Sequence, residues 1–183
     1  MLGGRSSVSD PSPASPAHQH RRAAPARVPT AVVSVSDTRS LETDTAGARV
    51  VELLEQGGHP VVGRSIVRDE PGEIAAALRE FVARDDVRAV IFTGGTGVAP
   101  RDVTPDTVAP LLDRVIPGFG ELFRLLSYQE IGSAALLSRA LAGLASGRVV
   151  FVLPGSRGAV ALAMERLLLP ELAHLAGEAI KTR

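Results

Sequence analysis

Val87-Arg88-Ala89-Val90-Ile91-Phe92 runs directly into Thr93-Gly94-Gly95-Thr96-Gly97, and this junction decides the fold. The first part is short, apolar and β-branched, the composition of a strand buried on both faces of a parallel sheet. The second part places three glycines within four residues. Glycine accepts positive φ and lets other groups approach the backbone, so such a turn can aim several amide N–H groups at one anion.

The residues after the turn narrow its chemistry. No lysine stands where a P-loop needs one, and the chain's one lysine is Lys181. Bound phosphate then needs another counter-charge. Asp102, in Arg101-Asp102-Val103-Thr104-Pro105-Asp106, suggests a divalent cation, because Mg²⁺ binds through one or two carboxylates together with substrate phosphates. The alternative for Asp102 is a helix cap. Thr104 before Pro105, with Asp106 in the first turn, already provides an N-cap, a first-position proline and a dipole partner, which leaves Asp102 free.

Outward from this centre, strands and helices alternate. Thr30 to Val35 reads as a buried strand, with Ser36 and Asp37 at its carboxyl end, where open α/β sheets place ligand loops. Asp37 either orients a ligand hydroxyl or ring nitrogen, or is a turn residue. Asp44 opens a helix with Val50, Leu53 and Leu54 at helical spacing, which ends before Gly57-Gly58. Val61 to Val67 is a second strand, and Asp69-Glu70-Pro71 starts a helix carrying Ile74, Leu78, Phe81 and Val82 on one face. Asp69 is either a plain helix-start residue or a carboxylate that converges with Asp102 over the same sheet edge.

Past the glycine turn, a helix is expected from Pro105 to Leu112. Another follows Pro117-Gly118-Phe119-Gly120 through Leu126, with an apolar stripe (Phe119, Leu122, Phe123, Leu126) that serves the core or a subunit interface. Ser133 to Arg139 reads as a short helix. Leu141 to Ala145 and Arg148 to Leu153 bracket Ser146-Gly147 as a hairpin, and Pro154-Gly155-Ser156 opens a closing helix over Leu162 to about Ile180 with a break near Pro170. The sum is a three-layer α/β/α sandwich whose sheet is mostly parallel with an antiparallel edge strand.

Composition bounds the function. A chain of 183 residues with 45% hydrophobic content buries one core, so a single domain is expected over 30–183. Residues 1–29, rich in Ser, Pro, Ala and Arg, read as a disordered tail. Net charge near zero and 3% aromatic residues argue against nucleic-acid binding. The absence of cysteine excludes disulfides, thiolate zinc sites and cysteine nucleophiles. No apolar run is long enough to span a bilayer and no secretory h-region opens the chain, so a cytoplasmic protein without a membrane partner is expected.

From about Thr30 to Ile180 the sequence resembles the MoaB/MogA proteins of molybdenum cofactor biosynthesis. The likeness rests on Ser34-Val35-Ser36-Asp37, Asp69-Glu70, Thr93 to Gly97, Arg101 to Asp106, Pro117 to Glu121, Leu137-Ser138-Arg139 and Leu153-Pro154-Gly155-Ser156. Phe123-Arg124, Ser127 to Gly132 and Pro154 to Val160 look closer to the MoaB branch. The resemblance implies Mg²⁺-dependent adenylation of molybdopterin by ATP, with catalytic and metal-binding roles at Asp69 and Asp102. It implies nucleotide or pterin binding by Ser36, Asp37, Gly94, Gly95, Thr96, Gly97, Ser138, Arg139, Pro154, Gly155 and Ser156. It also implies a homo-oligomer, a hexamer as in the MoaB type or a trimer as in the MogA type. A rival within the same pathway is a protein that binds molybdopterin without turning it over. A nucleotide-diphosphate hydrolase of the CinA type is disfavoured, because Thr96, Val98 and Ala99 depart from the GGLGPT-type loop of that group.

Overall fold

The structure, a computed structural model, describes residues 27–181. Its strands are β1 (Thr30–Val35), β2 (Val61–Val67), β3 (Ala89–Thr93), β4 (Arg114–Val115), β5 (Leu141–Ala145) and β6 (Arg148–Leu153). They form one sheet in the order β2-β1-β3-β6-β5-β4. The first four are parallel; β5 runs antiparallel to β6, and β4 antiparallel to β5. The helices are α1 (Thr45–Gln56), α2 (Pro71–Ala83), α3 (Thr104–Val108), α4 (Pro117–Ile131), α5 (Arg157–Ala163) and α6 (Leu169–Ala179).

The apolar runs of the central strands are buried because successive side chains point to opposite faces and both faces are covered. Ala31, Val33, Val90, Phe92, Val150 and Val152 meet Ile74, Leu78 and Phe81 of α2 and Val108 of α3. Val32, Ile91, Val149, Phe151 and Leu153 point the other way, toward Val50 and Leu54 of α1, Phe119 and Phe123 of α4, and the C-terminal helices. Phe119 stands edge-on to Phe151, with ring centroids 5.4 Å apart.

Register levels the carboxyl ends of the parallel strands. Ser34 pairs with Ile66 on one side and Thr93 on the other, and Thr93 pairs with Leu153. The loops that begin at residues 36, 68, 94 and 154 therefore leave the sheet along one edge. Chain order reverses between β1 and β3, the crevice where open α/β sheets take ligands.

Several expectations are corrected. The two-residue β4 was not foreseen, since two residues carry no periodicity. The helix expected over Pro105 to Leu112 is α3 followed by a 3₁₀ turn at Ala109–Leu111, and the one expected over Ser133 to Arg139 is a 3₁₀ helix at Gly132–Leu137. The closing helix starts earlier and does not break near Pro170. A π-helical turn at Met164–Leu168, in which the Leu169 N–H reaches the Met164 carbonyl, widens the coil just before the proline that lacks an N–H. Packing extends before Thr30, into the expected tail: Val28 is fully buried and its N–H donates to His59 Nδ1 at 3.1 Å. Residues 1–26 of the expected tail lie outside the described residues. Among the described residues, no helix is long and apolar enough to cross a membrane.

Candidate functional site

The glycine turn after β3 is built by its carbonyls. Gly95 O accepts from the Thr104 N–H at 3.1 Å, Thr96 O from the Arg139 N–H at 3.1 Å, and Gly97 O from Arg139 Nε at 2.8 Å. The Gly94 N–H is spent on Leu153 O at 3.0 Å. The N–H groups of Gly95, Thr96 and Gly97, by contrast, carry no intramolecular hydrogen bond among the described residues. Tying carbonyls back and leaving successive amides open is how a backbone nest takes an anion. Gly94 and Gly95 have φ of 109° and 60°, and a Cβ on Gly94 would overlap the Val35 carbonyl oxygen, so this turn admits glycine alone at its start. Gly155 packs on it: a Cβ there would lie 3.2 Å from the Gly94 Cα.

Three carboxylates from three loops stand around the turn. Asp37, after β1, accepts the Asp69 N–H on Oδ1 at 3.2 Å and pairs through Oδ2 with Arg101. Asp102 accepts the Ala99 N–H on Oδ2 at 2.9 Å and approaches Gly97, where a Cβ would lie 2.7 Å from that oxygen. Asp69 faces Gly95, whose absent Cβ would lie 2.6 Å from Asp69 Oδ1. Burial pushes the Asp69 carboxyl above its ordinary range. The charges of Asp37, Asp102 and Glu70 push the same way, and Arg101 opposes them. Among the described residues, no group of three or more His, Asp and Glu side chains stands ready to hold a metal ion. The donor set still suits Mg²⁺, which takes few protein ligands and completes its shell with phosphate and water.

Other expected site residues make hydrogen bonds within the chain. Arg139 is a strut. Besides Gly97 O, its guanidinium donates to the Asp102 carbonyl and pairs with Asp106 at 2.7 Å, so it fixes the loop on which Asp102 stands. Ser36 Oγ accepts the N–H groups of Thr38 and Arg39, both at 3.3 Å, and shapes the loop before α1. Ser138 Oγ accepts the Ala140 N–H at 3.4 Å, and Ser156 caps α5 by accepting the Ala159 N–H at 3.2 Å. The Pro154 carbonyl accepts from Thr93 Oγ1 at 3.1 Å. Asp102 is not wholly free, and Thr104 does not cap α3: Val103 holds the cap position without a side-chain bond, and the Thr104 hydroxyl is buried with no partner.

The expected residues fall around distinct hollows. Ser36, Gly94 and Gly155 line a cavity of about 70 Å³, and Asp102 and Arg139 line one of about 240 Å³. Ser138 and Arg139 line an open cleft of about 770 Å³ with Asp106 and Arg124. Arg139 and Asp106 border both of the larger hollows, so these lie on two sides of one wall.

Beneath the site lies a network that sequence reading did not foresee. Asp44, 2% exposed, accepts Ser34 Oγ at 2.5 Å, the Gly47 N–H at 2.9 Å and Arg64 Nη2 at 3.2 Å. Burial alone would raise its carboxyl, but Ser34, Gly47 and Arg64 outweigh burial and hold it below the usual range. Ser34 inside an apolar strand was the available signal, since a buried hydroxyl requires a partner.

A doubly covered parallel sheet with an open amide nest and three carboxylates at its switch point defines an open α/β protein whose candidate site lies at the carboxyl edge of the sheet. The family profile described as "Probable molybdopterin binding domain" matches residues 31–174. Molybdenum cofactor biosynthesis protein B of Halalkalibacterium halodurans is 49% identical over 166 residues, covering 90% of this chain and 98% of that protein. A crystal structure of a molybdenum cofactor biosynthesis protein B superposes with a TM-score of 0.82 at 49% identity, over 84% of this chain and 96% of that one. The tungsten cofactor synthesizing protein MoaB from Pyrococcus furiosus superposes with a TM-score of 0.78 at 36% identity, over 86% and 100% of the two chains. The chain belongs to the MoaB/MogA family of molybdenum cofactor biosynthesis proteins.

Proposed function

We propose that the protein transfers AMP from ATP to the terminal phosphate of molybdopterin. An oxygen of the pterin phosphate attacks the α-phosphorus, the bond to the β-phosphate breaks, and pyrophosphate leaves with the displaced charge. Two anions must meet, so the protein's task is positioning and charge neutralisation rather than covalent catalysis. The observation that carries this reading is the nest at Gly95, Thr96 and Gly97, whose open N–H groups stand beside Asp69 and Asp102. Mg²⁺, when bound, would supply neutralisation of phosphate charge. Asp69 and Asp102 would hold the ion, Arg139 would keep Asp102 in place, and the cleft beside Ser138 is roomy enough for a pterin. Incubation with molybdopterin, ATP and Mg²⁺ tests it: adenylated pterin and pyrophosphate are expected, and an intact protein that forms neither refutes it.

The bound state of Asp102 supports a second reading, retention of molybdopterin without turnover, since one carboxylate oxygen is already spent on Ala99. Unchanged pterin binding and unchanged molybdoenzyme activity in cells carrying Asp102→Asn would favour it.

Self-association belongs to the same proposal. Phe119 and Phe123 of α4 are buried, while Leu122, Leu125, Tyr128 and Ile131 lie half-exposed or more, continuing to Leu136 and Leu137. An apolar surface of this kind is suited to a subunit interface. Sedimentation should give a hexamer; a monomer would remove this part.

A further inference from the structure

Thr104 is buried completely, and its Oγ1 has no hydrogen-bond partner. An orphaned hydroxyl is costly in a protein interior, and a native one calls for an explanation such as a missing ion or ligand. Its surroundings supply one. A side chain on Gly95 would collide with Thr104 Oγ1 and Asp69 Oδ1 together, so the two oxygens converge on the same face of that glycine. Glycine at position 95 leaves room for both oxygens to sit against its Cα and holds φ at 60°, a region glycine favours. The Thr104 N–H meanwhile donates to Gly95 O at 3.1 Å, which locks residue 104 to the turn and fixes where its hydroxyl lies.

The ligand type follows from charge. Asp37 and Asp102 add negative charge around Asp69 and Arg101 opposes them, and three carboxylates against one guanidinium favour a cation over a bare anion. One neutral hydroxyl and one carboxylate oxygen are the hard donors that a small divalent cation prefers, with phosphate oxygens and water completing its shell. We infer that Thr104 Oγ1, which packs with Asp69 Oδ1 against Gly95, is a ligand to the divalent cation that accompanies the nucleotide. Thr104 is thus a metal-site residue rather than a helix cap. This rests on the adenylation reading, from which it takes the nucleotide-bound cation.

The test uses Mn²⁺ as a paramagnetic probe, titrated into the intact protein with the non-cleavable α,β-methylene analogue of ATP and followed by electron paramagnetic resonance. Thr104→Val keeps the shape and deletes the hydroxyl; it should bind Mn²⁺ about 10-fold or more weakly, while Thr104→Ser stays close to the parent protein. The ligand-free Thr104→Val protein should melt no lower than its parent, because an unpaired buried polar group has been removed. Should that variant fail to fold, anomalous diffraction from parent crystals soaked with Mn²⁺ and the analogue answers the same question. Density bonded to Thr104 Oγ1 supports the assignment, and density elsewhere overturns it. Equal Mn²⁺ affinity in Thr104→Val and parent overturns the role of Thr104 and leaves the adenylation reading standing. A parent protein that binds no Mn²⁺ with the analogue present overturns both.

Discussion

The Asp69 N–H donates to Asp37 Oδ1 at 3.2 Å, so the loop after β2 is fastened to the loop after β1 across the mouth of the candidate site. Arg101 holds the other oxygen of the same carboxylate, and Asp37 therefore links three loops. Asp37→Ala should lower AMP transfer by about 10-fold or more, because a misplaced reacting group is penalised steeply. Asp37→Asn, which retains an acceptor for the Asp69 N–H, should keep most of the activity. Equal losses in both would show that charge at position 37, not its tie to Asp69, is what counts.

Arg101 is the positive charge that opposes the upward push on the Asp69 carboxyl. Its side chain is 66% exposed, so its pairing with Asp37 adds little stability, about 0–1 kcal/mol at most. Arg101→Ala should leave the melting temperature almost unchanged. It should raise the Asp69 carboxyl further and move the rise of Mn²⁺ affinity with pH to a higher pH. Titrations of Mn²⁺ at several pH values in both proteins would show the displacement.

Asp69→Asn tests the cost of the site itself. A carboxyl whose folded pKa is raised is best tolerated in its protonated form, so the fold loses stability as pH rises through that pKa. The neutral amide removes this penalty. Melting temperatures of variant and parent should coincide in acid and separate toward neutral pH, the variant being higher by on the order of 2 °C, while AMP transfer is lost.

The frame of this fold was legible because buried parallel strands announce themselves. β1, β2, β5 and β6 begin and end where their apolar or alternating runs do, and the glycines of the 94–97 turn marked where the chain leaves β3 at the carboxyl edge of the sheet. What stayed hidden were pairings between residues distant in sequence. Arg139 supports a loop some forty residues before it, and nothing near position 139 reveals that its donors are already engaged. Thr104 before Pro105 has the local grammar of an N-cap, yet tertiary packing buries its hydroxyl. Local rules located the loops, and long-range contacts assigned the side chains within them.

Asp44 should contribute to the loss of stability on acidification. Its folded carboxyl lies below the ordinary range, so the stability it contributes is present at neutral pH and lost as pH falls through the lowered folded value. Asp44→Ala deletes the cap of α1 and leaves Arg64 without its buried partner, for a loss of about 3 kcal/mol. Denaturant unfolding at neutral pH measures that loss. The gap between variant and parent should narrow as the solution is acidified.

His59 gives the fold a second pH dependence, at milder acidity. The ring is 6% exposed, and Nδ1 accepts the Val28 N–H at 3.1 Å, so that nitrogen must be unprotonated to hold the segment before β1 against the core. Burial lowers its pKa. The unfolded chain takes up a proton near pH 6.5, whereas the folded chain resists it. Stability is therefore full above that pH and declines as pH falls toward the lowered folded value. His59→Gln offers an acceptor that does not titrate in this range, so its melting temperature should change less than the parent's between about pH 7.5 and 5.5. If the anchor works as the geometry requires, the protection factor of the Val28 amide in the parent, its exchange rate corrected for the intrinsic pH dependence, falls over the same interval, before the Asp44 network begins to fail. Parallel curves for His59→Gln and parent would mean that another group controls this limb.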